Sequence, residues 1–128
     1  MVAALENVGA DVGDLSERYD AYTTRLVEAV LATSGHTPSE LRRAVAARAA
    51  RAARLSAPGA DGVPPVLAGY VDRAAWHAYK VTDDDVAALQ RAGHTDDALF
   101  EVTVAAALGA ALGQLERGLA ALRGEEPD

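Results

Sequence analysis

Few residues in this chain can move protons. It has three histidines, four tyrosines and no cysteine. His77 and Tyr79 stand two apart in "AAWHAYK", beside Trp76 and close to the expected end of a helix. In an apolar surrounding His77 would serve as a general base near neutral pH. On an exposed helix end it would instead meet the negative end of the helix dipole and donate to a carbonyl. Glu101 falls in the first turns of a long helix, among Phe100, Val102 and Val104. That position suits a buried carboxylate with raised proton affinity or a surface residue on the polar side, and periodicity favours its facing a neighbouring helix and reaching an arginine such as Arg43 or Arg48. His77, Tyr79 and Glu101 are therefore the candidate catalytic residues, and their chemistry would be acid–base work on a small molecule. His36 and His94 share one setting, Gly-His-Thr at 35–37 and at 93–95, which fits a turn ahead of a helix cap and also a catalytic pair.

Other chemistries are excluded by what is missing. Without cysteine there are no disulfides, no thiolate metal sites and no thiol redox. No glycine loop for phosphate, no G-x-S-x-G and no histidine pair at metal-binding helical spacing occurs, so no cofactor and no metal is expected. The acidic steps Thr82-Asp83-Asp84-Asp85 and Thr95-Asp96-Asp97 could be read as a cation site. Consecutive acids in a first turn point in different directions, however, and the simpler reading is two N-caps of about 1 kcal/mol each. A formal net charge of −7 argues against a nucleic-acid partner. No uncharged apolar run approaches membrane-spanning length and no leader is evident, so the expected location is cytoplasmic.

These residues must be positioned by helices. Half the residues are apolar but only 5% are aromatic, with alanine and leucine supplying most of the rest, a composition that favours an all-α fold. The reading is a flexible arm at 1–13, a single helical domain of about five helices at 14–123, and a tail at 124–128. The first helix opens with Asp14 and Glu17 at capping-box spacing, places Tyr19, Tyr22, Leu26, Val30 and Thr33 on one face, and stops at Gly35. The second is capped by Thr37 with Glu40 completing a box, has Pro38 at its first position, and runs to about Leu55. It carries Arg42, Arg43, Arg48, Arg51 and Arg54, all but Arg42 on one arc opposite Leu41, Val45, Ala49 and Ala52, which reads as a solvated face pairing with surface acids. After the loop "SAPGADGVPP", a third helix spans Pro65 to Tyr79, buried through Leu67, Tyr70, Val71 and Ala74. A short helix from Asp83 to Ala92 ends at Gly93. The last helix runs to about Arg123 and repeats Ala105, Gly109 and Gly113 on one side, a signature of close packing within the subunit or across an oligomer interface.

The stretch "VTDDDVAALQRAGHTDDALFEVTVAAALGAAL", from Val81 to Leu112, resembles the carboxymuconolactone decarboxylase and alkyl hydroperoxidase D-like superfamily: a capped short helix, "LxxAG", a second cap and a long small-residue helix. A weaker echo lies in "AVLATSGHTPSELRRAVAARAAR". Together the two cover somewhat under half the chain. The resemblance implies an all-helical fold and a homo-oligomer. The peroxidase branch uses a Cys-x-x-Cys pair, a following histidine and an upstream glutamate. This chain has no cysteine, and Arg43 stands where the glutamate after "LR" would be, so peroxidase activity is not implied. Two functional expectations follow: an oligomeric accessory or assembly protein, with a small-molecule ligand or a protein as possible partner, and a thiol-independent lyase or isomerase.

Overall fold

The computed structural model describes residues 17–51 and 61–124. The expected arm at 1–13, the Asp14 cap and most of the tail lie outside the described residues. Five helices and no strand occur among the described residues. We label them α1 (17–32), α2 (Ser39–Ala50), α3 (Pro65–Trp76), α4 (Asp83–Arg91) and α5 (Asp96–Leu122), with a short 3₁₀ turn, Ala78–Lys80, between α3 and α4. The last turns of α1, Glu28–Ala32, are wound as a π-helix.

The core forms where α2 and α3 lie against α5. Val45, Ala49, Val63, Leu67, Val71, Val102, Ala105 and Ala106 are essentially inaccessible. Small residues let α2 and α5 come close: a Cβ at Gly109 would lie 2.1 Å from the Ala46 carbonyl oxygen, and one at Gly113 would lie 2.6 Å from that of Ala50. The Ala105–Gly109–Gly113 stripe thus serves packing inside the subunit. α3 is fixed to its neighbours by polar ties at the core's edge. The Tyr70 hydroxyl meets Thr103 Oγ1 at 2.5 Å, and Trp76 Nε1 donates to the Ala49 carbonyl at 3.1 Å.

Local signals set the helix starts of the second half. Thr82 accepts from the Asp85 amide while Asp85 accepts from that of Thr82, a reciprocal capping box, and Thr95 accepts from the Ala98 amide. Gly93 closes α4 with φ +103°, a conformation that favours glycine.

Four sequence expectations are corrected. α3 stops at Trp76, three residues short, because His77 leaves helical backbone at φ −143°. Tyr19, Tyr22 and Leu26 point outward, at 59, 61 and 50% exposure, and α1 packs instead through Val27, Val30 and Leu31. Thr37 does not cap α2: the helix begins one residue later, after Pro38, with no side-chain cap. Arg48, expected on the solvated arc, is buried, as is Arg42 off that arc. Arg48 joins the loop to α3, its Nε and Nη2 each 2.8 Å from the Asp72 carboxylate and its Nη1 2.9 Å from Asp61.

Candidate functional site

The polar corner with the most converging groups lies where the turn between α1 and α2 meets the start of α5. Glu101, in the second turn of α5, reaches across to this turn. Its Oε2 accepts from the His36 amide at 2.6 Å, and its Oε1 accepts from the Thr37 amide at 3.2 Å and the Thr37 hydroxyl at 3.0 Å. Gly35 permits the approach, since a Cβ there would fall 2.3 Å from Glu101 Oε1. Arg42 holds the other side of the same turn. Its Nη1 donates to the Val30 carbonyl at 2.5 Å and its Nη2 to that of Thr33, so the guanidinium closes the carbonyl end of α1. Arg42 Nε faces Glu101 Oε1 at 3.8 Å, and it is the one buried side-chain nitrogen or oxygen without a hydrogen bond among the described residues.

Electrostatics fix Glu101 in its charged form. Burial pushes its carboxyl up, but the His36 amide, the Thr37 hydroxyl and amide, and the Arg42 charge together outweigh this and hold it below the usual range. The sequence allowed a raised value; the opposite holds, because donors surround the carboxylate. Asp61 behaves alike: burial is outweighed by the Val63 amide and by Arg48.

Beside this clasp lies a cleft of about 480 Å³. Val30, Phe100 and Val104 form an apolar wall, and Arg42 and Glu101 lie at its base. At its mouth the His36 ring stands 3.8 Å from the Asp97 carboxylate, both largely exposed. A second groove of about 300 Å³ lies between Tyr19 and Thr23 of α1 and Leu112, Leu115 and Leu119 of α5.

His77 and Tyr79 are elsewhere. Tyr79 sits on the exposed 3₁₀ turn and His77 just before it, with their rings edge-to-face at 6.0 Å, and Tyr79 is 81% exposed. Neither lines the cleft that Glu101 lines. Trp76, the residue before His77, stacks under Arg117, 16 residues beyond Glu101 along α5, a rise of roughly 24 Å. The three residues named as candidates therefore do not face one small molecule. His94 stays in its turn, its amide donating to the Leu89 carbonyl, and is separate from His36. No group of three or more histidine, aspartate or glutamate residues able to hold a metal occurs among the described residues.

Sequence reasoning missed Arg42 as a partner for Glu101, naming Arg43 or Arg48. The signal was present: Arg42 is the arginine off the arc, and helical spacing puts it beside Val45, Ala46 and Ala49. No family profile, curated protein or solved structure matches the chain.

Proposed function

We propose that this chain is an assembly protein, a cysteine-less helical member of the carboxymuconolactone decarboxylase and alkyl hydroperoxidase D-like superfamily that works as a homo-oligomer without thiol peroxidase chemistry. The all-helical fold and the order of capped short helix and long small-residue helix support the kinship. One observation carries the assembly reading: the outward side of α5 is apolar and is covered by none of the described residues. Phe100 is 70% exposed, Leu115 45% and Leu122 81%, with Ala107, Ala111 and Gly118 exposed between them. α5 is long and apolar enough to cross a membrane by length and composition, yet only 44% of its most apolar stretch is buried. A helix apolar on all sides is stable in water when all its sides are covered. The test is a light-scattering mass of the full chain, alone and as Ala111→Glu. An oligomer that the charge dissolves is expected; a monomer at tens of micromolar overturns the reading.

A second reading, acid–base chemistry on a small molecule, is favoured by the cleft beside Glu101, with His36 and Asp97 at its mouth. Glu101 would then orient rather than transfer a proton, since three donors and a cation keep it ionised. Binding of small organic acids or amines in the cleft would shift the amide resonances of Ser34, His36 and Phe100; a silent screen counts against this reading.

A further inference from the structure

The cleft beside Glu101 is polar at one end and apolar at the other, and that order selects what it can hold. We infer that it binds a small primary alkylammonium ion, with the ammonium between Asp97 and Glu101 and the tail along Val30, Phe100 and Val104. This rests on the small-molecule reading of the cleft, names its ligand class, and does not depend on the assembly reading.

Both walls of the cleft change character in the same direction. Residues three and four apart share one side of a helix, so Asp97, Glu101 and Val104 form a line along α5 that runs from carboxylate to hydrocarbon. On the facing wall, Ser34 at the turn gives way to Val30 within α1. Val104 follows Asp97 by seven residues, roughly 10 Å of helix, about the extended length of a hexylammonium ion. A volume of about 480 Å³ falls within the range of small-molecule sites. The α1 wall is also the π-helical segment, Glu28–Ala32, which the chain leaves in extended backbone at Thr33. Such widened turns are frequent at functional sites.

Charge selects a cation. Apart from His36, the cleft holds two carboxylates, Asp97 and Glu101, and one guanidinium, that of Arg42, so its balance is negative, as is that of the whole chain at −7. Arg42 is poorly placed to serve an anion. It is 4% exposed, its Nη1 and Nη2 donate to the Val30 and Thr33 carbonyls, and its Nε is buried. The carboxylates, by contrast, keep acceptor capacity. Glu101 Oε2 takes one hydrogen bond, from the His36 amide, and Asp97 meets the His36 ring at 3.8 Å, beyond hydrogen-bond reach. His36 thus links the two, with its amide on the deeper carboxylate and its ring beside the one at the mouth. An ammonium has three N–H donors, enough for Glu101 Oε2, an Asp97 oxygen and solvent. A metal ion is the poorer occupant, because no three acidic or histidine side chains are grouped to hold one among the described residues. The apolar wall of Val30, Phe100 and Val104 adds what a bare ammonium ion would not use, a surface for a hydrocarbon tail.

The test is a titration of the full chain followed through its amide resonances, with hexylammonium, hexan-1-ol and hexanoate as probes. It is repeated on Ala111→Glu, so that self-association does not mask the cleft. Hexylammonium is expected to shift Ser34, His36 and Phe100 and to saturate with a Kd of about 1 mM or below. Hexan-1-ol is expected to bind about tenfold more weakly and hexanoate not at all. Asp97→Asn and Phe100→Ala, both at exposed positions, are each expected to weaken hexylammonium about tenfold. Asp83→Asn, which removes the same charge from the first turn of α4, is expected to leave its Kd within about twofold. Hexanoate or hexan-1-ol bound as tightly as hexylammonium overturns the ammonium assignment and leaves the small-molecule reading standing. Equal effects of Asp97→Asn and Asp83→Asn do the same, since the cation would then answer to net charge alone. Silence of all three probes in both chains overturns this inference and the small-molecule reading together.

Discussion

The two sides of α5 are built from the same residue types and do opposite things. Toward α2, Ala105, Gly109 and Gly113 are fully buried, and their missing side chains admit another backbone. Away from it, Ala107, Ala111 and Gly118 are exposed, and among the described residues nothing comes within 4 Å of a Cβ at Gly118. Smallness is a structural requirement on the first side, whereas at Gly118 on the second it is a cost that no described residue of the subunit accounts for. The contrast shows that a small-residue helix can use its two sides for two successive levels of packing, and that only the surroundings of each position tell which level it serves.

Substitutions on the inner side should have the largest effects. Gly109→Ala puts a methyl group against the backbone of α2, and about 3 kcal/mol of stability should be lost, seen as a drop in the midpoint of urea unfolding. Glu101→Ala should cost about 2–3 kcal/mol, because it strands the buried Arg42 and the amides of His36 and Thr37. The pH dependence sharpens this. Glu101 is held below its unfolded value, so its contribution is present above about pH 4.3 and is lost as pH falls through the lower folded value; Asp61 acts in the same sense. Glu101→Gln should therefore be less stable than the parent at pH 7 but lose less stability between about pH 5 and pH 3.

The outer side should respond weakly and with the opposite sign. Gly118→Ala should stabilise the separated subunit by about 1 kcal/mol and weaken self-association. Gly69→Ala, at a helical glycine in α3 that likewise meets none of the described residues, should give the same gain without changing the mass, and so serves as the control. If Gly118→Ala matches Gly69→Ala in every respect, the two sides of α5 do not differ in the way described.

Much of the fold was legible because its signals are local. Thr82 with Asp85, Thr95, and Gly93 each act within four residues, and each does what its type and spacing indicate. The misread positions depend on distant partners. Thr37 has the spacing of a cap, but its hydroxyl is taken by Glu101 from 64 residues away, so α2 begins without it. Periodicity grouped Tyr19, Tyr22 and Leu26 correctly onto one side of α1 but could not say that this side faces outward. Arg48 was assigned to a solvated arc because nothing in its neighbourhood announces that Asp61 and Asp72 would enclose it. At the candidate site, Glu101 was identified as a residue turned toward another helix, while its grouping with His77 and Tyr79 assumed a proximity that the length of α5 does not provide.

The clasp at Glu101 also has a bearing on how the chain acquires its shape during synthesis. The corner between α1 and α2 leaves the ribosome long before the carboxylate that fastens it. Until α5 follows, the Arg42 guanidinium has no acid to face and the amides of His36 and Thr37 have only water. Before then the corner rests on the Arg42 bonds to the Val30 and Thr33 carbonyls, and α5 adds the carboxylate that completes it.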